Sequence, residues 1–294
     1  MRSRHPRLRA GGREVRVHRE SRAVDDGYRS ALLPGLRASG DALALAEEIA
    51  FAHGRLLALG ATPPGLYAEV RTLAEKDIEQ ATWTSFLIAY LSPRDGDDPF
   101  AGIRMVMDGA SDGEAYEEGG LEDLDGIPVG PRTSHDPARG ASTLLAYRHW
   151  AERAGDQAHA FEGDPAWSPQ RRFERCFERL ALPGFPRMGR YDLLVTLGRL
   201  GLYELRADSL HFTSANESST PDLTTLAAKR VFAIGDHLNL ERRAHALAEA
   251  ISVPIEALDL ALANWGSGAR VTLGFPSETC DLGALERSRE ALEL

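Results

Sequence analysis

Along most of this chain, apolar residues recur at intervals of three and four, the spacing that gathers them on one face of an α-helix. The period is clearest between Arg171 and Leu202. Phe173, Cys176, Phe177 and Leu180 line one face, Leu182-Pro183-Gly184 interrupts the run, and Leu193, Leu194, Leu197 and Leu200 resume it. Proline lacks a backbone donor and glycine takes left-handed angles cheaply, so the interruption predicts a tight turn between two helices. Ser168-Pro169 supplies an N-cap and first-position pair for the first of them.

The same periodicity predicts a helix over 41–60 ending at Gly60, a linker at Thr62-Pro63-Pro64-Gly65, and two helices up to Pro93. The first of these two ends near Glu75. Asp77 caps the second, whose buried face is Ile78, Trp83, Phe86, Leu87 and Tyr90. A further helix is expected over 141–154. The polar stretch 204–223 reads as a connection with a short extended pair around Leu205 and Leu210–Phe212. Gly235-Asp236 then opens a helix with Leu238, Ala244, Leu247, Ala248 and Ile251 on its apolar face. Pro254 starts a last one through Ile255, Leu258, Leu260, Leu262 and Trp265, ending at Gly266.

At 294 residues, 43% of them hydrophobic, the chain can build one large core or two modest ones. No apolar run approaches the length of a membrane span, and the basic N-terminus has no apolar region behind it, so neither a membrane partner nor a secretory signal is expected. Cys176 and Cys280 are the two cysteines, and the histidines are scattered. That excludes a four-cysteine iron–sulfur cluster and a zinc ribbon, and predicts no metal site and a cytoplasmic chain without disulfides.

The net charge of −10 opposes binding to a polyanion, yet it is unevenly spread. Residues 1–22 hold eight arginines against Glu14 and Glu20, a local balance of +6. They read either as a phosphate-binding tail or as the product of a misassigned start codon. From Asp108 to Asp125 the run DGASDGEAYEEGGLEDLD carries eight acidic residues among glycines. Such a run is a solvated loop in most proteins. Clustered carboxylates also suit magnesium, although no spacing here matches a calcium loop.

The Leu-Pro-Gly hairpin between amphipathic helices resembles the helix-hairpin-helix of the DNA base-excision glycosylases. A glycine-bearing turn at a helix N-terminus offers amide N–H groups and a positive dipole end to a phosphate, a contact that positions a protein on a duplex without reading sequence. In that superfamily the hairpin is followed by a helix beginning with a catalytic aspartate, then an arginine, then a final apolar helix. This chain offers Gly235-Asp236-His237, then Arg242 and Arg243, then the run from Leu260 to Gly266. The combination of Leu-Pro-Gly-Phe, Gly-Arg-Tyr-Asp-Leu-Leu, Ile-Gly-Asp and Leu-Asp-Leu-Ala-Leu-x-Asn-Trp is most similar to one divergent branch, the α-glutamyl/putrescinyl thymine pyrophosphorylase family.

The resemblance implies an all-α, two-lobed fold with a central cleft. One lobe spans residues 65–205 and carries the hairpin. The other combines 40–64 with 206–294, and residues 1–38 form a basic flexible arm. It implies a monomer bound to double-stranded DNA through Leu182, Pro183, Gly184, Arg187, Gly189, Arg190, Arg171 and Arg172. A flipped modified base would be lined by Gln80, Tyr191, Phe232 and Trp265. Asp236 would stabilise the oxocarbenium-like sugar and orient water, with Asp192 as runner-up acid and Arg242, Arg243 and Asp259 in support. Asp259 is expected to pair with Arg242 or Arg243. Pro186, Arg187, Met188 and Arg190 occupy the region where a Schiff-base lysine would lie, so the expected enzyme is a monofunctional N-glycosylase without a cofactor, of the kind linked to DNA repair and antiphage defence. Pro186 also replaces a glycine of the usual hairpin. The alternatives are a pyrophosphorylase acting on a pyrophosphorylated hydroxymethyl-pyrimidine with magnesium, and a helical module that only binds DNA.

Overall fold

The computed structural model describes residues 23–110 (108–110 as backbone), 124, 126–139, 141–213 and 222–294, and the backbone of 9–10 and 13–14. Most of the basic arm and of the acidic loop lies outside the described residues. From Ala23 onward the chain is an extended segment whose Leu33 and Leu36 are buried and whose Tyr28 hydroxyl donates to Leu292 O at 2.8 Å.

The described chain is helical apart from one antiparallel pair of two-residue strands, β1 (Arg9–Ala10) and β2 (Arg13–Glu14). The helices are α1 (Ser39–Ala61), α2 (Leu66–Ala74), α3 (Ile78–Leu91), α4 (Ala101–Ala110), α5 (Ser142–Glu152), α6 (Gln157–Glu162), α7 (Pro169–Arg179), α8 (Arg187–Leu200), α9 (Leu223–Phe232), α10 (His237–Ala250), α11 (Glu256–Ser267) and α12 (Leu282–Leu292). The caps follow the sequence. Asp77 accepts from Gln80 N at 2.9 Å, Ser168 from Arg171 N at 3.2 Å, and Gly201 ends α8 in the left-handed region.

Two helices are buried all round and therefore central. Every residue from Ala81 to Leu91 of α3 is buried, as is every residue from Glu256 to Trp265 of α11. α1 packs on α11, α12 and α8, and α3 packs on α2 and α8. One continuous hydrophobic cluster runs from Leu33 to Leu292 and draws on both segments that the sequence assigned to separate lobes.

Four helices escaped the sequence reading: α4, α6, α9 and α12. α6 has only six residues and depends on Asp156, which accepts from His159 N at 2.7 Å. The extended pair at Leu205 and Leu210–Phe212 does not form. Carboxylates take the place of a ladder there: Leu210 N and Phe212 N donate to Glu241 at 2.9 and 3.1 Å, and Ala207 N to Glu256 at 3.3 Å. Leu238, expected on the buried face of α10, is 65% exposed.

Candidate functional site

The α7–turn–α8 hairpin forms as the Pro-Gly pair predicts. Gly184 has φ +76°, and a Cβ there would lie 2.1 Å from Thr143 Oγ1. Thr143 Oγ1 also donates to Pro183 O at 3.0 Å, so the turn is docked on the start of α5. α8 then begins after Pro186 with no side-chain cap. Its first-turn amides are thereby left to other acceptors. A Cβ on Gly189 would meet Ser134 Oγ at 2.3 Å, so the loop before α5 presses on this turn of the helix.

Along the inner face of α8 lies an array of buried charges. Arg132, from the loop before α5, grips Asp192 with two hydrogen bonds of 3.0 Å, and its Nη2 reaches Asp259 Oδ2 at 2.9 Å. Arg187 Nη2 donates to the other oxygen of Asp259 at 2.7 Å, and Arg187 Nη1 lies 3.7 Å from Asp222 Oδ1. Arg187 Nε also holds the carbonyls of Leu210 and His211 at 2.8 and 3.0 Å. Thr224 Oγ1 donates to Asp259 Oδ1 at 3.2 Å. Side-chain exposures of 5% for Arg132, 13% for Asp192, 2% for Asp259, 3% for Arg187 and 10% for Asp222 put the group inside the fold, with Asp192 nearest to solvent.

Burial alone would raise the pKa of Asp259, but Arg187 and Arg132 outweigh it and hold the carboxyl below the usual carboxylate range. For the two arginines the opposing effects run the other way. Burial lowers their pKa, and the aspartates more than restore it, so both remain charged.

A stacked layer closes the array on the α7 side. Arg190 lies over the Phe177 ring at 4.2 Å, and Phe177 stacks on His211 with ring centres 3.8 Å apart. His211 sits at φ +52°, and its pKa falls to about 4, first through burial and then through Arg187 and Arg190. Glu174 Oε2 is 3.3 Å from His211 Nε2 but off line for a hydrogen bond, so burial governs and the imidazole is neutral at pH 7. Burial and Arg187 also bring the Arg190 guanidinium down to about 10. Tyr191 Oη, Arg187 Nη1, Arg190 Nε and Ser134 Oγ are buried without a hydrogen-bond partner among the described residues. Unsatisfied polar atoms are few in folded proteins, and four gathered at one helix start mark a place where a ligand's polar groups would be stabilised.

The residues singled out from the sequence separate into distinct groups. Arg187, Gly189, Arg190, Tyr191, Asp192 and Asp259 come together here. Asp259 pairs with Arg132 and Arg187 rather than with Arg242 or Arg243, both of which are exposed on α10. Asp236 is the N-cap of α10, half-exposed and accepting from Asn239 Nδ2 at 2.8 Å and Asn239 N at 3.3 Å. Arg171 is exposed, with its guanidinium 5.8 Å from the Trp167 ring. Arg172 is buried and donates to the carbonyls of Glu162 and Glu204 at 2.6 and 3.1 Å. Of the turn itself, Leu182 is half-buried and Pro183 exposed. Phe232 and Trp265 belong to the core, and Trp265 Nε1 donates to Asp41 O at 2.9 Å. Gln80 lines a separate cavity of about 360 Å³ with Trp83, Tyr147 and Gln157, at the start of α3.

Arg132 and Asp222 were missed. Each lies in a stretch without apolar period, where one sequence carries no sign of which carboxylate or guanidinium it will meet. Among the described residues no group of three or more histidine, cysteine, aspartate or glutamate side chains is arranged to hold a metal ion, and no helix is long and apolar enough to cross a membrane.

No curated protein and no solved structure matches the chain. A family model does: the one described as alpha-glutamyl/putrescinyl thymine pyrophosphorylase clade 3 matches residues 133–272, a little under half of the chain. The match takes in α5 to α11, hence the hairpin, Asp192, Asp222 and Asp259, and begins one residue after Arg132. Over that stretch the chain is similar to a family of modified-base enzymes.

Proposed function

We propose that this chain is an enzyme that acts on a modified pyrimidine base in double-stranded DNA, as a monofunctional N-glycosylase-like hydrolase centred on the α8 array. The observation that carries the reading is the position of Asp192. It lies in the first half of the second hairpin helix, its carboxylate is fixed by two nitrogens of one arginine, and it is the array's most accessible carboxylate. The DNA backbone would run past the uncapped start of α8, with Arg190 and Arg171 at its phosphates. The base would leave the stack and enter a cleft between two helical lobes.

In that chemistry the bond from C1′ to the base nitrogen breaks and its electron pair leaves with the base. Positive charge builds on the sugar and a water oxygen bonds to C1′. A carboxylate held rigid by a bidentate arginine stabilises that charge without rearranging. The hairpin from Leu182 to Arg190 has no lysine, so the reaction would stop at an abasic site. Asp236 is the competing carboxylate, and its exposed cap position favours it less. The protein would act as a cytoplasmic monomer without a cofactor.

The family match favours a second reading, in which water or an amine forms a bond to the methylene carbon of a pyrophosphorylated hydroxymethyl-pyrimidine as pyrophosphate leaves with the electron pair of its carbon–oxygen bond, with magnesium, and the glycosidic bond is kept. One experiment separates the two. Purified protein is incubated with unmodified DNA and with DNA from a phage whose bases are hypermodified, with and without magnesium, and the products are assayed for alkali-labile sites and for pyrophosphate. Alkali-labile sites confined to modified DNA and lost in Asp192→Asn are the expected result. Pyrophosphate without abasic sites replaces the first reading by the second. Neither product, with DNA still retained, leaves a binding module and sinks both.

A further inference from the structure

The solvent side of α7 divides into two rows of opposite charge. Arg171, Arg175 and Arg179 are exposed and four residues apart, so they run down one side of the helix. Glu174 and Glu178 form the neighbouring row. Glu174 turns toward the array, with Oε2 3.3 Å from His211 Nε2, and Glu178 meets Arg175 at 2.8 Å. Arg171 and Arg179, at the two ends of the arginine row, form no ion pair among the described residues. Both lie instead against one ring, that of the half-buried Trp167, with their guanidinium carbons 5.8 and 5.6 Å from its centre.

That ring is held in place by its own loop. Gly163 has φ +60°, and a Cβ there would lie 2.5 Å from Trp167 Cζ3, so the ring is seated on the bare glycine. The buried Arg172 grips the loop by its carbonyls, donating to Glu162 O at 2.6 Å and to Trp167 O at 3.4 Å. Asp164 of the same loop turns back on Ala166 N at 2.9 Å and meets neither end of the arginine row. Two like charges drawn to one fixed ring are positioned in advance. The cation–π contact takes up side-chain freedom that would otherwise be lost on meeting a ligand, and exposed N–H edges remain to bind one.

We infer that this row is a track for the phosphate backbone of duplex DNA. Arg171 and Arg179 are about 12 Å apart along the helix axis. One strand of a duplex carries a phosphate about every 3.4 Å of its axis, so the row spans about three to four phosphates of one strand. Arg179 closes α7 just before the turn, and the row therefore leads to the uncapped start of α8. Contacts of this kind fix how a protein lies on a duplex without reading its sequence. The assignment rests on the proposed action on DNA and adds the face along which the backbone runs. The competing explanation is structural: the arginines cover Trp167 and do nothing else.

The two differ in the salt dependence of binding, measured by fluorescence anisotropy with a short unmodified duplex between about 50 and 200 mM salt. Each phosphate contact contributes about 0.9 to the slope of log K against log salt. The triple variant Arg171→Gln, Arg175→Gln, Arg179→Gln is expected to flatten that slope by about 2–3 while melting within a few degrees of the wild type. Lysine at the same three positions keeps the charges and should keep the slope. An unchanged slope in the glutamine variant, with or without a lower melting temperature, overturns the track; if Arg190→Gln still flattens it, the DNA reading survives. No retention of the duplex by the wild type also overturns the track. An oligoglutamate that binds the wild type more tightly than the duplex, and loses affinity in the triple variant, assigns the row to an acidic protein instead. A slope that falls as expected in a protein that leaves modified DNA intact removes only the proposed reaction.

Discussion

Arg187 of the second hairpin helix donates to Asp259 of α11 at 2.7 Å, with 3% and 2% of the two side chains exposed. The pair ties the hairpin to the most deeply buried helix of the fold. Desolvation costs several kcal/mol per ion, so such a contact is stabilising chiefly relative to its own half-removal. Asp259→Ala, which leaves Arg132 and Arg187 facing each other, should therefore cost about 3–5 kcal/mol. Replacing the whole set, with Arg132 and Arg187 as Met and Asp259 as Leu, should cost much less. Urea unfolding of the variants checks both, and equal losses would show that the charges do not act as a unit.

The pH dependence of stability follows from two groups. His211 is lowered to about 4 in the folded protein, against about 6.5 when unfolded. Between those values the unfolded chain binds a proton that the native state does not, so stability falls as pH drops from about 6.5 to about 4. The full difference is on the order of 3 kcal/mol. Asp259 has its pKa lowered on folding, so its contribution is complete above the unfolded carboxylate range, near 4, and is lost only as the pH falls through the lower folded value. His211→Gln should flatten the upper part of the profile and leave the acid limb. Urea midpoints measured from pH 7.5 to pH 3 test this, and an unchanged profile would show that His211 titrates normally.

Asp192 and Asp236 should separate cleanly. Asp192→Asn is expected to lower the rate of product formation by about 10²–10³, the usual loss when one electrostatic stabiliser is removed. Asp236→Asn retains a side chain that caps helices well, so it should leave both rate and stability within a few-fold of wild type. Asp236→Ala should cost about 1 kcal/mol as a lost N-cap. Single-turnover rates and melting curves on the three variants decide the matter, and a rate loss confined to Asp236→Asn would move the chemistry to α10.

Gly184→Ala tests the hairpin itself. The substitution places a Cβ 2.1 Å from Thr143 Oγ1 and asks alanine to adopt φ +76°. It should destabilise by about 1–3 kcal/mol. Pairing it with Thr143→Ala should recover only the steric part. Full recovery, read from melting temperatures, would mean that the turn's angle is not under constraint.

The helices and their ends were legible because the forces behind them are local. Proline without a donor, glycine with left-handed freedom, and the oxygens of Asp77 and Ser168 within reach of an amide three residues on all act within one turn of chain. The three- and four-residue period marks which side of a helix faces the core, and α7 and α8 follow it, whereas α3 and α11 are buried on every side. Leu238 departs from it because the buried face of α10 runs through Leu240, Ala244 and Leu247, and Leu238 lies two residues before Leu240, out of that register. α6 was missed because six residues are too few to display a period.

The sequence by itself therefore determined the all-helical class, the hairpin of α7 and α8 with Gly184 at its turn, and the position of Asp192 in the first half of α8. Only the tertiary structure decided the pairing of the charges. Arg132 meets Asp192 across 60 residues and Asp259 across 127, and Arg187 meets Asp259 across 72. No periodicity spans such distances, and an arginine's choice among 44 acidic residues depends on where helix packing brings its end and on how much water is left there. That is why Asp259 was matched to Arg242 or Arg243 from the sequence and lies between Arg132 and Arg187 in the fold.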